Sequence, residues 1–155
     1  MDVPKVITGQ EILEDNDHPF NSLIEFYRTF NARSAEEAAN NWAKKSAVAM
    51  ANPIGDIRRN WNAIREAYGK IMDGKARVYV EYHDFKYHQF NNIFYVEGRE
   101  RGSLDTGDEQ LGVKIRTSRI YRLFDEGWKQ VHHHGSIDDP KLLQRYKNAI
   151  LKVIS

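Results

Sequence analysis

The order of patterns along the chain predicts an α+β domain, with helices first and a meander of long antiparallel strands afterwards. Three observations carry that expectation. Apolar residues recur at helical spacing from Leu23 to Met72, the period changes to strict alternation after Gly74, and turn residues fall between the alternating runs. A long sheet curved over helices makes one apolar cone, and small-molecule sites favour such concavities.

Residues 1–18 carry mixed signals and are expected to be a lead-in, flexible or with a short helix around Glu11 to Glu14. Behind Pro19, the residues Leu23, Ile24, Phe26, Tyr27 and Phe30 give the first helix, which Asn31-Ala32-Arg33 breaks. Ser34 with Glu37 forms a capping box for a second helix bearing Ala35, Ala38, Ala39 and Trp42. The stretch Ala47 to Ala51 fits a strand, and Asn52-Pro53-Ile54-Gly55-Asp56 is a turn. A third helix carries Trp61, Ile64, Tyr68, Ile71 and Met72 on one stripe and closes near Asp73-Gly74.

Four strands follow: Ala76 to Phe90, Asn92 to Gly102, Gln110 to Phe124 and Trp128 to Ser136. Turns at Asn91-Asn92 and Asp125-Glu126-Gly127 suit hairpins, and Ser103 to Glu109 is a polar loop. Asp139-Pro140 opens a C-terminal helix striped with Leu142, Leu143, Tyr146, Ala149, Ile150 and Val153. The expected division is a lead-in over 1–18, a domain over 19–138 and a terminal helix over 139–155.

Composition narrows the function. A chain of 155 residues suits one domain with a real core, and a net charge of +1 gives no basic stripe for nucleic acid. With no cysteine there are no disulfides, thiol nucleophiles or thiolate metal sites. No apolar run reaches the roughly 20 residues a bilayer needs, and the N-terminus does not read as a signal peptide, so a soluble cytoplasmic protein without membrane contact is expected. No nucleotide, flavin or nicotinamide signature is present, so no cofactor is expected.

Strand parity selects the candidate site. On the third long strand Leu111, Val113, Ile115, Thr117, Arg119, Tyr121 and Leu123 share a face, which turns Arg119 into the cone. A buried guanidinium needs a partner, and Glu97, in phase with Ile93 and Tyr95, is the expected one. Two readings of that pair stand: a structural ion pair, or a pocket wall that orients a polar ligand together with Asn52. The last strand ends in His132-His133-His134, of which His132 and His134 share one face and His133 takes the other. A bulge near Trp128 would exchange the faces. His132-x-His134 lacks a third ligand at readable spacing, so no metal is expected.

Ile24-Glu25-Phe26-Tyr27-Arg28-Thr29-Phe30-Asn31-Ala32, Met50-Ala51-Asn52-Pro53-Ile54-Gly55, Arg119-Ile120-Tyr121 and the run Gly127 to Ser136 together resemble the SnoaL-like branch of the nuclear-transport-factor-two-like superfamily. The resemblance implies a cystatin-like α+β roll, a curved sheet wrapped around N-terminal helices. It leaves function open, because the superfamily includes ketosteroid isomerases, polyketide cyclases, dehydratases and kinase-association hubs. The tyrosine, aspartate base and oxyanion acid of the isomerases fall here on Phe26, Asn52 and the neighbourhood of Ser118 or Arg119. A carboxamide cannot abstract a proton, so that isomerisation route is not expected.

The kinase association domain ends in Trp-x-x-Val-His-x-His-x-Ser, matched by Trp128, Val131, His132, His134 and Ser136. It keeps an arginine at the place of Arg119 in a pocket for small carboxylates, while two further pocket arginines fall on Glu97 and Gly135. This comparison turns the face of His133, Val131 and Gly135 inward. His132, His134 and Gln130 then lie outside, where a sheet-to-sheet homodimer would form.

The expected site is therefore His133 as general acid or base, Arg119 stabilising developing negative charge, and Glu97 and Asn52 positioning a small-molecule ligand. Phe26, Trp42, Met50 and Trp61 are expected to line the pocket from the helical side. Tyr68, Tyr95, Thr117 and Tyr121 complete the expected lining. Two function classes follow: a cofactor-free cyclase-, dehydratase- or isomerase-like enzyme, or a non-catalytic ligand-binding or oligomerisation module.

Overall fold

The computed structural model describes residues 3–44 and 47–154, with side chains through residue 152, so the Val153 side chain of the expected terminal stripe lies outside the described residues. The elements run α1 (Asn21–Asn31), α2 (Ala35–Asn40), β1 (Ala49–Ala51), β2 (Ile57–Arg58), α3 (Trp61–Met72), β3 (Arg77–Phe90), β4 (Ile93–Asp105), β5 (Gln110–Phe124), β6 (Gly127–Ser136) and α4 (Pro140–Ile154). One curved, six-stranded sheet has the order β2-β1-β6-β5-β4-β3. Among the described strands only β1 and β6 pair in parallel, which makes the sheet mixed.

Both halves of the predicted α+β order are present, with local differences. The lead-in forms no helix around Glu11 to Glu14. The Glu11 carboxylate instead accepts from the Thr8 N–H at 2.8 Å and its hydroxyl at 2.6 Å, while Ile7 bridges to Tyr82 of β3 and is fully buried. Ser34 stands at the N-cap of α2, but its hydroxyl makes no capping bond, so the expected capping box is not formed. β1 is shorter than the expected Ala47–Ala51, and β2 was not anticipated. Asn60 caps α3 by accepting from the Ala63 N–H at 2.8 Å. β4 extends through Asp105, where it pairs with Gln110, so the expected seven-residue loop shrinks to a tight turn at Thr106 to Glu109.

Curvature has identifiable causes. The β3–β4 ladder shifts register between His83 and Lys86, with Asp84 at φ 49. At Gly102 a Cβ would lie 1.8 Å from the Tyr79 carbonyl oxygen, so only glycine permits that close crossing. A second register shift lies opposite Ile120 and Tyr121: Tyr121 pairs with Gln130 and Ile120 with His132, leaving Val131 out of the ladder. There β6 also changes partner on its other edge, from Trp42 at Gln130 to β1 at His132.

The helices fill the concave side. Tyr27 of α1 stacks on Tyr82 of β3 at 5.5 Å, and both are completely buried. Asn31 at the end of α1 mimics a strand: its side chain donates to the Val80 carbonyl at 2.8 Å and accepts the Val80 N–H at 3.0 Å. Arg33 donates to the carbonyls of Met72, Gly74 and Ala76, satisfying the C-terminal end of α3. α4 packs Ala149 and Ile150 into the core.

Candidate functional site

Arg119 does point into the cone, and its partner is Glu100, not Glu97. Arg119 Nη2 lies 3.1 Å from Glu100 Oε2, and the two side chains are 4% and 7% exposed. Glu97 is on the outer face, where its carboxylate meets His88 Nε2 at 2.9 Å. Tyr95 is outside with it, stacked on His88 at 4.5 Å, and so does not line the cavity. The error was one of phase. β4 is apolar in both registers, Ile93 and Tyr95 in one and Phe94 and Val96 in the other, and the second is the buried one. Leu104, in phase with Phe94, Val96 and Glu100 and fully buried, was the signal that could have decided it.

Around the pair a network closes. Glu100 Oε2 also accepts the Tyr27 hydroxyl at 2.8 Å, and Oε1 accepts the Thr117 hydroxyl at 3.0 Å. Arg119 Nη1 donates to Gln130 Oε1 at 2.7 Å, and the guanidinium sits 4.0 Å from the Phe26 ring centre. Gln130 donates in turn to Asn41 Oδ1 at 3.3 Å, which also takes the Tyr121 hydroxyl at 2.7 Å. Desolvation opposes the Arg119 charge, but Tyr27 and Glu100 more than offset it and hold its pKa above the ordinary value. Burial, reinforced by Glu100, pushes the Tyr27 hydroxyl well up, so it stays a donor.

The residue left out of the ladder at Val131 settles the histidines. Gln130 and His133, three apart, both face inward: Gln130 is completely buried and His133 is 6% exposed. Gln130 had been expected outside with His132 and His134, and the bulge explains the difference. His134 is exposed on the outer face, and His132 is half-buried. His133 pairs in register with Arg119; its ring meets the Ser118 backbone, and its Nδ1 is sealed from solvent without a well-formed hydrogen bond. Desolvation, followed by the nearby Arg119 charge, pulls the imidazole pKa well below its usual value, so the ring is neutral at neutral pH. Gly135 makes room for it, since a Cβ there would lie 3.1 Å from Ile115 and 3.3 Å from His133 Nε2.

His133, Arg119 and Glu100 open onto a cavity of about 80 Å³. Asn52 enters at the end of β1, with its carboxamide making no hydrogen bond among the described residues. Of the residues expected to line the pocket, Phe26, Met50 and Tyr68 do. Trp42 stands behind the wall and donates its indole N–H to the Tyr68 hydroxyl at 2.9 Å. Trp61 is further away, bonded to the Ala39 carbonyl at 2.8 Å and covered by Lys44. Thr117 and Tyr121 belong to the network, through Glu100 and Asn41 respectively, and not to the cavity wall.

The sequence reading missed Glu100 and Tyr146, both of which line the cavity. Tyr146 reaches it from α4, which sequence parity alone could not dock. No three His, Asp or Glu side chains converge as metal ligands among the described residues.

Solved structures share this architecture. A protein from Streptomyces avermitilis, provisionally named a dehydratase of the NTF2-like family, superposes with a TM-score of 0.67 at 18% identity, over 74% of this chain and 89% of its own. A calcium/calmodulin-dependent protein kinase type II association domain, also provisionally named, from Thiobacillus denitrificans gives 0.60 at 21% identity, over 78% and 95%. A ketosteroid isomerase-like protein from Erwinia carotovora atroseptica gives 0.65 at 10% identity, over 83% and 100%. At these identities the likeness shows the fold alone. No curated protein matches the chain. The profile of the SnoaL-like domain matches residues 21–140, which establishes that the chain belongs to the SnoaL-like domain family.

Proposed function

We propose that this protein binds a small organic molecule in the internal cavity and that His133 is the group that exchanges a proton or hydrogen bond with it. One observation supports this above the rest: the His133 imidazole lines the cavity with no side-chain partner among the described residues, while the neighbouring carboxylate already takes three protein donors. In this reading Asn52 positions the ligand, Arg119 with Glu100 sets the polarity of the wall, and the chemistry is a cofactor-free acid–base step of the cyclase or dehydratase kind. Glu100 takes the role first assigned to Glu97. The working form is a cytoplasmic homodimer joined through the outer sheet face.

A second reading, a non-catalytic ligand-binding or assembly module, draws on the depressed His133 pKa, which makes the ring a weak base. Thermal-shift screening of a small-molecule library against the wild-type protein and the His133→Gln and Asn52→Ala variants tests binding. Hits should lose at least tenfold in affinity in each variant. Hits that bind all three proteins equally would refute the site. Turnover of a hit then separates the enzyme from the module.

A further inference from the structure

We infer that the cavity takes an uncharged ligand whose enclosed part is about three or four non-hydrogen atoms, with an apolar body and one hydroxyl or carbonyl group placed at His133. This rests on the cavity being a binding site, as proposed above, and adds its ligand class.

The charge balance of the wall carries the argument. Arg119 is the cation and Glu100 the anion, and each is already bonded to the other at 3.1 Å. Glu100 receives two further donors, Tyr27 and Thr117, and Arg119 gives a second bond to Gln130. An anion entering here would sit beside Glu100, and a cation beside Arg119. A buried charge without a partner costs several kcal/mol, so both are disfavoured.

What the wall offers instead is neutral hydrogen bonding. His133 lines the cavity with no side-chain partner among the described residues, its ring meeting only the Ser118 backbone, and a ligand hydroxyl serves either tautomer because it both donates and accepts. The Tyr68 hydroxyl accepts from Trp42, and its own proton has no acceptor among the described residues. Most of the remaining wall is apolar, including Phe30, Ile71 and Val113. Size sets the rest. The cavity of about 80 Å³ is roughly half the volume of an engineered cavity that holds one benzene.

The test is nuclear magnetic resonance of the His133 imidazole nitrogens in the wild-type protein, titrated with four probes: propan-2-ol, acetamide, acetate and ethylammonium. Propan-2-ol and acetamide should shift the His133 signals saturably, with dissociation constants at least tenfold below those of acetate and ethylammonium. His133→Gln, followed through the Tyr68 ring signals, should weaken both uncharged probes by about tenfold. If that variant does not fold, Asn52→Ala followed at His133 takes its place. Should acetate or ethylammonium bind as tightly as the uncharged probes, the neutral class is overturned while the cavity remains a binding site. If no probe perturbs His133, the binding site and its ligand class fall together.

Discussion

Glu97 and Glu100 stand three residues apart on β4, each beside a basic partner, and they differ in almost everything else. Glu97 meets His88 on the outer face, with side chains 47% and 35% exposed. Glu100 meets Arg119 inside the cone, where three protein groups donate to it. Water can replace either partner of the outer pair, and nothing can replace those of the inner one. The comparison teaches that the inner ion pair is a constraint on the fold first. Its neighbour His133, with no side-chain partner among the described residues, is where a ligand has something to add.

The sharpest way to break this contrast is Glu100→Ala, which strands the Arg119 charge and should cost about 3–5 kcal/mol in urea denaturation. Replacing both partners, as Glu100→Leu with Arg119→Met, should recover much of that loss, because the buried pair contributes little beyond its own desolvation. Gly135→Ala should cost about 1–3 kcal/mol by pressing on Ile115 and the His133 ring.

His133 sharpens the comparison through pH. Its folded pKa is depressed, so the unfolded chain binds the proton first. The stability it contributes is complete above the unfolded value of about 6.5 and is lost as pH falls from there through the folded value. The urea midpoint should therefore fall with acidification below that point, and His133→Gln should flatten the slope. An unchanged slope would mean that the ring is solvated. Smallest of all, Glu97→Ala should change the unfolding free energy by less than about 1 kcal/mol, as an exposed pair does.

Much of this was legible in the sequence. The helices announced themselves by stripes such as Leu23, Tyr27 and Phe30, and β5 by the alternation from Leu111 to Tyr121, because burial on one side leaves a periodic trace. Arg119 was found by that same parity, whereas Asn52 and the inward face of His133 came from the family resemblance. What failed were cases where parity carries no information. β4 is apolar in both registers, so Glu97 was chosen over Glu100. Gln130 was lost to a bulge, which adds a residue without changing composition. Tyr146 required knowing where α4 docks, a tertiary fact, and Trp42, Trp61, Thr117 and Tyr121 were too apolar or too central to be told apart as wall or support.

The unpaired Val131 resets the count along β6. Upstream of it even-numbered residues look indoors, and downstream odd-numbered ones do, so a glutamine and a histidine an odd distance apart end up as room-mates. Excising residue 131 would keep both indoors on a regular ladder, whereas ironing the kink flat at unchanged length would evict one of them. The inward pair is thus protected against shortening of the chain at that point and exposed to anything that straightens it.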